Sequence, residues 1–159
     1  MFVTFSELKL TSKQIGGFNM AKDSSKISIF SLLNDEGIKV LSDCLKTTFL
    51  RMGINVDFKI SEKEIYDGSL LITATSTTFN TMPVMFRNVR VVCDGKLKKD
   101  EQGAYDLNMS CDYRYDLFDG GCNGNRIGLA HFRIFEGMDG KHRVIHQRFG
   151  FCAETRRID

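Results

Sequence analysis

A cysteine stands among glycines in DGGCNGN, residues 119–125, where a glycine-rich backbone could cradle an anion and Cys122 could offer a thiol. Phosphate-cradling loops, however, run from a strand through the glycines into a helix whose N-terminus faces the phosphate. Here both flanks alternate like strands, and neither GxxxxGK[ST] nor GxGxxG occurs. The expectation is therefore a hairpin turn, with Gly and Asn supplying left-handed backbone conformations. His142 and His146 share the i, i+4 spacing that brings two imidazoles to one ion on a helix. On a strand the same spacing separates them by roughly 13 Å. His131 could approach one of them from a neighbouring strand, but the expectation is histidines packed on or facing out from a sheet, with no metal site.

The acids Asp106, Asp112 and Asp116 fall on one side of an alternating run. Neighbours there lie roughly 13 Å apart, beyond the reach of a paired acid and base, and read as a solvated face. There is no GxSxG elbow and no HExxH, so no catalytic residue is assigned and no cofactor is expected.

Basic and aromatic residues interleave in FRNVR (86–90), YRY (113–115), HFRIF (131–135) and RFGF (148–151). Aromatic platforms beside arginines are one way single strands are held, and such a surface would use Arg87, Arg90, Arg114, Arg148, Phe149 and Phe151. RFGF partly resembles the RNP1 motif of RNA-recognition motifs but lacks the glycine between the basic residue and the first aromatic. That family also sets two helices in a βαββαβ order, and this chain supplies one. The aromatics read first as core.

Those side chains must be positioned by a helix and a series of strands. Between residues 34 and 53 the apolar positions Ile38, Leu41, Leu45, Phe49 and Met52 recur every three or four residues, the stripe of an amphipathic helix. Asn34 suits its N-cap, Asp35 and Glu36 suit the positive end of its dipole, and Gly53 suits a left-handed stop. The period then changes to two. Ile54, Val56, Phe58 and Ile60 alternate with polar residues, and residues 69–79 are rich in β-branched side chains. After Pro83, residues 84–93 read as a strand, with Asp94-Gly95 and KLKKDEQG as a polar connection. Residues 105–117 sort Tyr105, Leu107, Met109, Cys111, Tyr113 and Tyr115 to one face and acids, Asn108, Ser110 and Arg114 to the other. Residues 126–136 and 141–152 make a final hairpin around Asp139-Gly140.

The expected fold is α+β, one amphipathic helix packed on a curved antiparallel sheet of about six strands, in a single domain over residues 1–159. Residues 1–25 are a candidate N-terminal strand or arm, with VTFSELKL as the strand and Met20 as an alternative start. In element order this is similar to cystatin-like and nuclear-transport-factor-like folds, although the Gln-x-Val-x-Gly strand motif of cystatins is missing, and such an analogy carries no function. The usual pocket in that layout lies between helix and concave sheet. Tyr113, His131 and Arg133 are the residues expected to reach it, unless Leu41, Leu45 and Phe49 fill the space.

Composition narrows the partners. A hydrophobic share of 42% with 26% charged residues fits a globular domain. Twenty-two basic against 20 acidic side chains leave a formal charge of +2, so no single-sign field steers the chain to nucleic acid or membrane. The five cysteines are widely spaced without CxxC, which favours free thiols and a reducing compartment such as the cytoplasm. No apolar run reaches signal-peptide or membrane-spanning length. The leading expectation is a non-enzymatic structural or assembly subunit, of a virion or another large complex, that acts through protein subunits or copies of itself. A ligand-binding or enzymatic pocket domain and a single-stranded nucleic-acid binder are the alternatives.

Overall fold

The computed structural model describes residues 26–80 and 86–151. The candidate arm at 1–25, Pro83 and Cys152 lie outside the described residues. A short helix, α1 (Ile29–Leu32), precedes the long helix α2 (Asp35–Leu50). Asn34 caps α2, its side chain accepting from the Gly37 amide, and Gly53 beyond the helix takes φ +85°. The stripe buries Leu41, Leu45 and Phe49 completely. At four residues α1 is too short to show a period; it is set by Ser28, whose hydroxyl accepts from the Phe30 amide.

Six strands follow: β1 (Phe58–Glu64), β2 (Leu70–Ser76), β3 (Arg87–Lys99), β4 (Tyr105–Asp116), β5 (Cys122–Glu136) and β6 (His142–Phe151). They form one antiparallel sheet in chain order, β1 and β6 at its edges, and the sheet does not close. Six strands laid flat would span roughly 24 Å, whereas a helix with its side chains is about 10–12 Å wide. Yet α2 touches both β1 and β6. One side chain, moreover, reaches both edges, so the sheet curls around the helix. Phe49 makes the bridge, its ring 5.6 Å from Phe58 on β1 and 5.6 Å from Phe149 on β6.

The inner face follows the alternation of β4: Tyr105, Leu107, Met109 and Cys111 are buried with Ile72 and Ala74, with Val91, Cys93 and Leu97, and with Ala130, Phe132 and Ile134. Cys93 and Cys111 stand opposite one another, both free thiols, and burial beside the second sulfur pushes the Cys93 thiol well up.

Asp94-Gly95 is not a connection. Both residues lie inside β3, which runs on to Lys99 before turning at Asp100. A Cβ on Gly95 would come to 2.3 Å from the Asn108 carbonyl oxygen, so glycine is there to let β4 approach. Of the expected turn at 119–125 only the first part turns, and residues 122–125 are already strand: the Leu117 amide donates to Gly121, the Gly120 amide to Leu117, and Gly120 takes φ +92°. β5 resumes directly at Cys122.

Candidate functional site

The outer face of β3, β4 and β5 is an ionic lattice. Arg114 lies 3.2 Å from both Asp94 and Asp112, and Arg126 lies 2.9 Å from Asp112. Arg90 pairs with Asp116, which also accepts from Asn88 Nδ2; that hydrogen bond first, and the Arg90 charge after it, hold the Asp116 carboxyl below its ordinary range. Nearer the hairpin end Arg133 reaches Asp100 at 2.6 Å and Asp106 at 3.3 Å, and His131 Nε2 meets Asp106 at 3.1 Å. Burial raises the Asp100 carboxyl, but Arg133 and the Gln102 and Ala104 amides together outweigh it and leave it lowered. The acids of β4 are thus neutralised by neighbouring strands rather than merely solvated. Which residues pair depends on register, which alternation within one strand does not contain.

This lattice separates residues that the sequence suggested might meet. His131 and Arg133 are on the outer face, whereas Tyr113 is on the inner face, edge-on to Phe79 at 6.0 Å. The three do not line one pocket, because an odd offset along alternating strands puts side chains on opposite sides. Leu41, Leu45 and Phe49 are fully buried between helix and sheet. His142 and His146 face inward, His146 stacked on Phe132 at 4.8 Å and His142 beside Tyr105, so His131 cannot join either. No group of three or more metal-ligating side chains comes together among the described residues. Cys122 is exposed, with Arg90 Nη2 3.7 Å from its sulfur.

The two sheet edges differ. On β1 the Phe58 carbonyl, directed away from β2, accepts from the Ser42 hydroxyl of α2 at 2.9 Å. The Glu62 carboxylate accepts from the Ser28 hydroxyl and the Ile29 amide, holding α1 over the strand, and Lys46 pairs with Asp57 at 2.6 Å. On β6 the Gly137 amide donates to the Lys141 carbonyl, which sets the alternation that follows. Backbone groups of His142, Val144 and His146 point away from β5, as do those of Phe149 and Phe151 beyond the bulge in the β5–β6 ladder. Among the described residues β6 pairs with β5 alone.

The seam between α2 and β6 is correspondingly hollow. Cavities of about 310, 290 and 510 Å³ follow one another along it, the first beside Val40 and Val144, the second beside Cys44 and His146. The third, at the end of β6, brings Arg148, Phe149 and Phe151 together with Arg51 and Met52 of the α2 terminus. Of the arginines suggested for nucleic acid, Arg90 and Arg114 are consumed by the lattice and Arg87 lies over the Phe118 ring at 4.8 Å. Arg114 also borders a cavity on the outer face, with Cys122 and Arg126, whereas Arg148 borders the one at the end of β6. Arg51 carries no local signal; it is found only once the last turn of α2 is known to lie beside RFGF.

No protein-family model matches the chain, and no curated protein or solved structure matches it either. No helix among the described residues is long and apolar enough to cross a membrane.

Proposed function

We propose that this chain is a non-enzymatic subunit of a larger assembly that meets its protein partner through edge strand β6 and the seam beside α2. The observation that carries the reading is the contrast between the edges: β1 is held to α1 and α2 by hydrogen bonds, whereas among the described residues β6 offers ten residues paired on one side. An exposed strand edge is a template for another chain, and backbone pairing supplies affinity while side-chain pockets supply selectivity. Ile145 and Phe151, 46% and 70% exposed, add apolar surface along that strand. In this reading the curved sheet grips the helix as a rigid base, much as in the cystatin-like layout, and β6 is the working surface.

The test is the mass of the native species carrying the chain, by light scattering on a gently prepared extract. A defined large particle is expected, a virion-sized one included. Val144→Pro removes an outward-facing amide without touching the ladder to β5, so it should dissociate the particle while leaving the circular dichroism of the subunit intact. A native chain running as a stable monomer would sink the reading.

A further inference from the structure

Cys93 of β3 and Cys111 of β4 stand directly opposite one another, both fully buried in the core and both free thiols. Which kind of opposite pair they make follows from the turn that joins the strands. The Asp100 amide donates to the Ala104 carbonyl, so the hydrogen-bonded pairs step back from there by two residues, through Asp94 with Ser110 to Val92 with Asp112. The intervening residues of β3 turn their backbone to the other side: the Val91 amide donates to the Ser76 hydroxyl of β2, and the Val89 carbonyl accepts from the Phe79 amide. Cys93 and Cys111 are therefore a non-hydrogen-bonded pair.

In such a pair the Cα atoms lie about 4.5 Å apart and the side chains come closest. A disulfide spans Cα separations of about 4.4–6.8 Å and needs its two Cβ atoms near one another. The pair meets that requirement with the strands where they are. Two residues along, Gly95 opposite Met109 keeps the ladder tight, since a Cβ there would stand 2.3 Å from the Asn108 carbonyl oxygen. The other cysteines among the described residues have no cysteine in register: Cys44 lies on α2, and Cys122 is exposed opposite Asp116.

We infer that Cys93 and Cys111 are a redox pair, joined as a buried cross-strand disulfide when the chain meets a small disulfide oxidant such as oxidised glutathione. One thiolate attacks a sulfur of the oxidant and releases one glutathione; the facing thiolate then displaces the second from the mixed disulfide. The pair gives up two electrons and two protons, all taken up by glutathione, whose S–S bond breaks as that of the protein forms. Burial, and then the neighbouring sulfur, keep the Cys93 thiol protonated in the closed sheet, so exchange awaits local opening of β3 and β4. The bond closes a loop across the β3–β4 hairpin, at the centre of the sheet, and so restricts the unfolded chain. It is independent of strand pairing at β6.

The test is incubation of the full chain with oxidised glutathione, native and in parallel during refolding from urea, followed by alkylation with N-ethylmaleimide and non-reducing peptide mapping. A peptide pair joining Cys93 to Cys111 is expected, formed faster during refolding than in the native chain. The oxidised chain should unfold at a thermal midpoint about 5–10 °C above the reduced one, and dithiothreitol should remove that shift. Cys122→Ser should leave the cross-link intact, whereas Cys111→Ala should abolish it together with the shift. The comparison of oxidised with reduced unsubstituted chain decides the matter even where the buried variant fails to fold. Cys93 and Cys111 both open to alkylation after either treatment, a cross-link from either of them to Cys44, Cys122 or Cys152 instead, or an oxidised chain with an unchanged or lower midpoint would overturn the assignment.

Discussion

The two edges of one sheet have opposite fates. At β1 the outward carbonyl of Phe58 and the carboxylate of Glu62 are used to hold helices in place, so the edge is absorbed into the fold. At β6, among the described residues, the helix is reached by packing of Phe149 against Phe49 and by the charge of Glu36 near Arg143, with no hydrogen bond between them, and cavities line the seam. An edge becomes structural when neighbouring side chains satisfy its backbone; it stays a binding surface when packing and charge alone cover one flank.

The sharpest way to break that contrast is at Phe49, which serves both seams. Phe49→Ala should cost about 3–5 kcal/mol in urea unfolding and loosen both edges together. A loss confined to one edge by hydrogen exchange would show that the helix does not couple them. Next is Gly128, where a Cβ would stand 2.3 Å from the Gly150 carbonyl oxygen. Gly128→Ala should cost about 1–3 kcal/mol and raise exchange in β6 while sparing β1. A smaller effect is expected from Glu62→Ala, about 1–2 kcal/mol through loss of its hydrogen bonds to Ser28 and Ile29. The matching change on the other edge, Gln147→Ala, should stay within about 0.5 kcal/mol. Equal costs for these two would erase the asymmetry.

The mildest probe is pH. Burial is the main cause that lowers the His146 pKa from 6.5, with the Arg51 and His131 charges adding to it against a hydrogen bond to the Arg148 backbone. A histidine lowered on folding contributes stability that is whole above its unfolded pKa and is lost as pH falls below 6.5 towards the folded value. His146→Gln should flatten that part of the stability curve. Asp100 and Asp116, also lowered, lose their contributions only further down, through the carboxylate range, and a chain unmoved by acid there would argue against the ionic lattice in solution.

What the residues alone reveal is mostly what depends on neighbours in the chain. The helix within 34–53, its Asn34 cap and Gly53 stop, the two faces of β4 and a turn before Cys122 are local patterns, and each is present, although β5 takes up residues 122–125 that read as loop. Gly95 misleads because a glycine after aspartate looks the same whether it turns the chain or admits a crossing strand. The Arg114 bond to Asp94, the Arg126 bond to Asp112, the separation of Tyr113 from His131 and Arg133, and the place of Arg51 beside β6 all require register between distant segments. Nothing in a single run of residues encodes it.

Phe49 and Phe149 stand 100 positions apart, and the helix is made long before its second contact. At about 5–20 residues per second, a ribosome needs roughly 5–20 s to deliver β6 after α2. Until then each new strand can zip onto the last, since every pairing joins chain neighbours, but the β6-facing side of the helix has nothing to rest on. A chain stalled before residue 142 would carry most of the finished sheet beside an uncovered apolar stripe. That nascent intermediate, rather than the completed subunit, is the form most exposed to aggregation and to quality control.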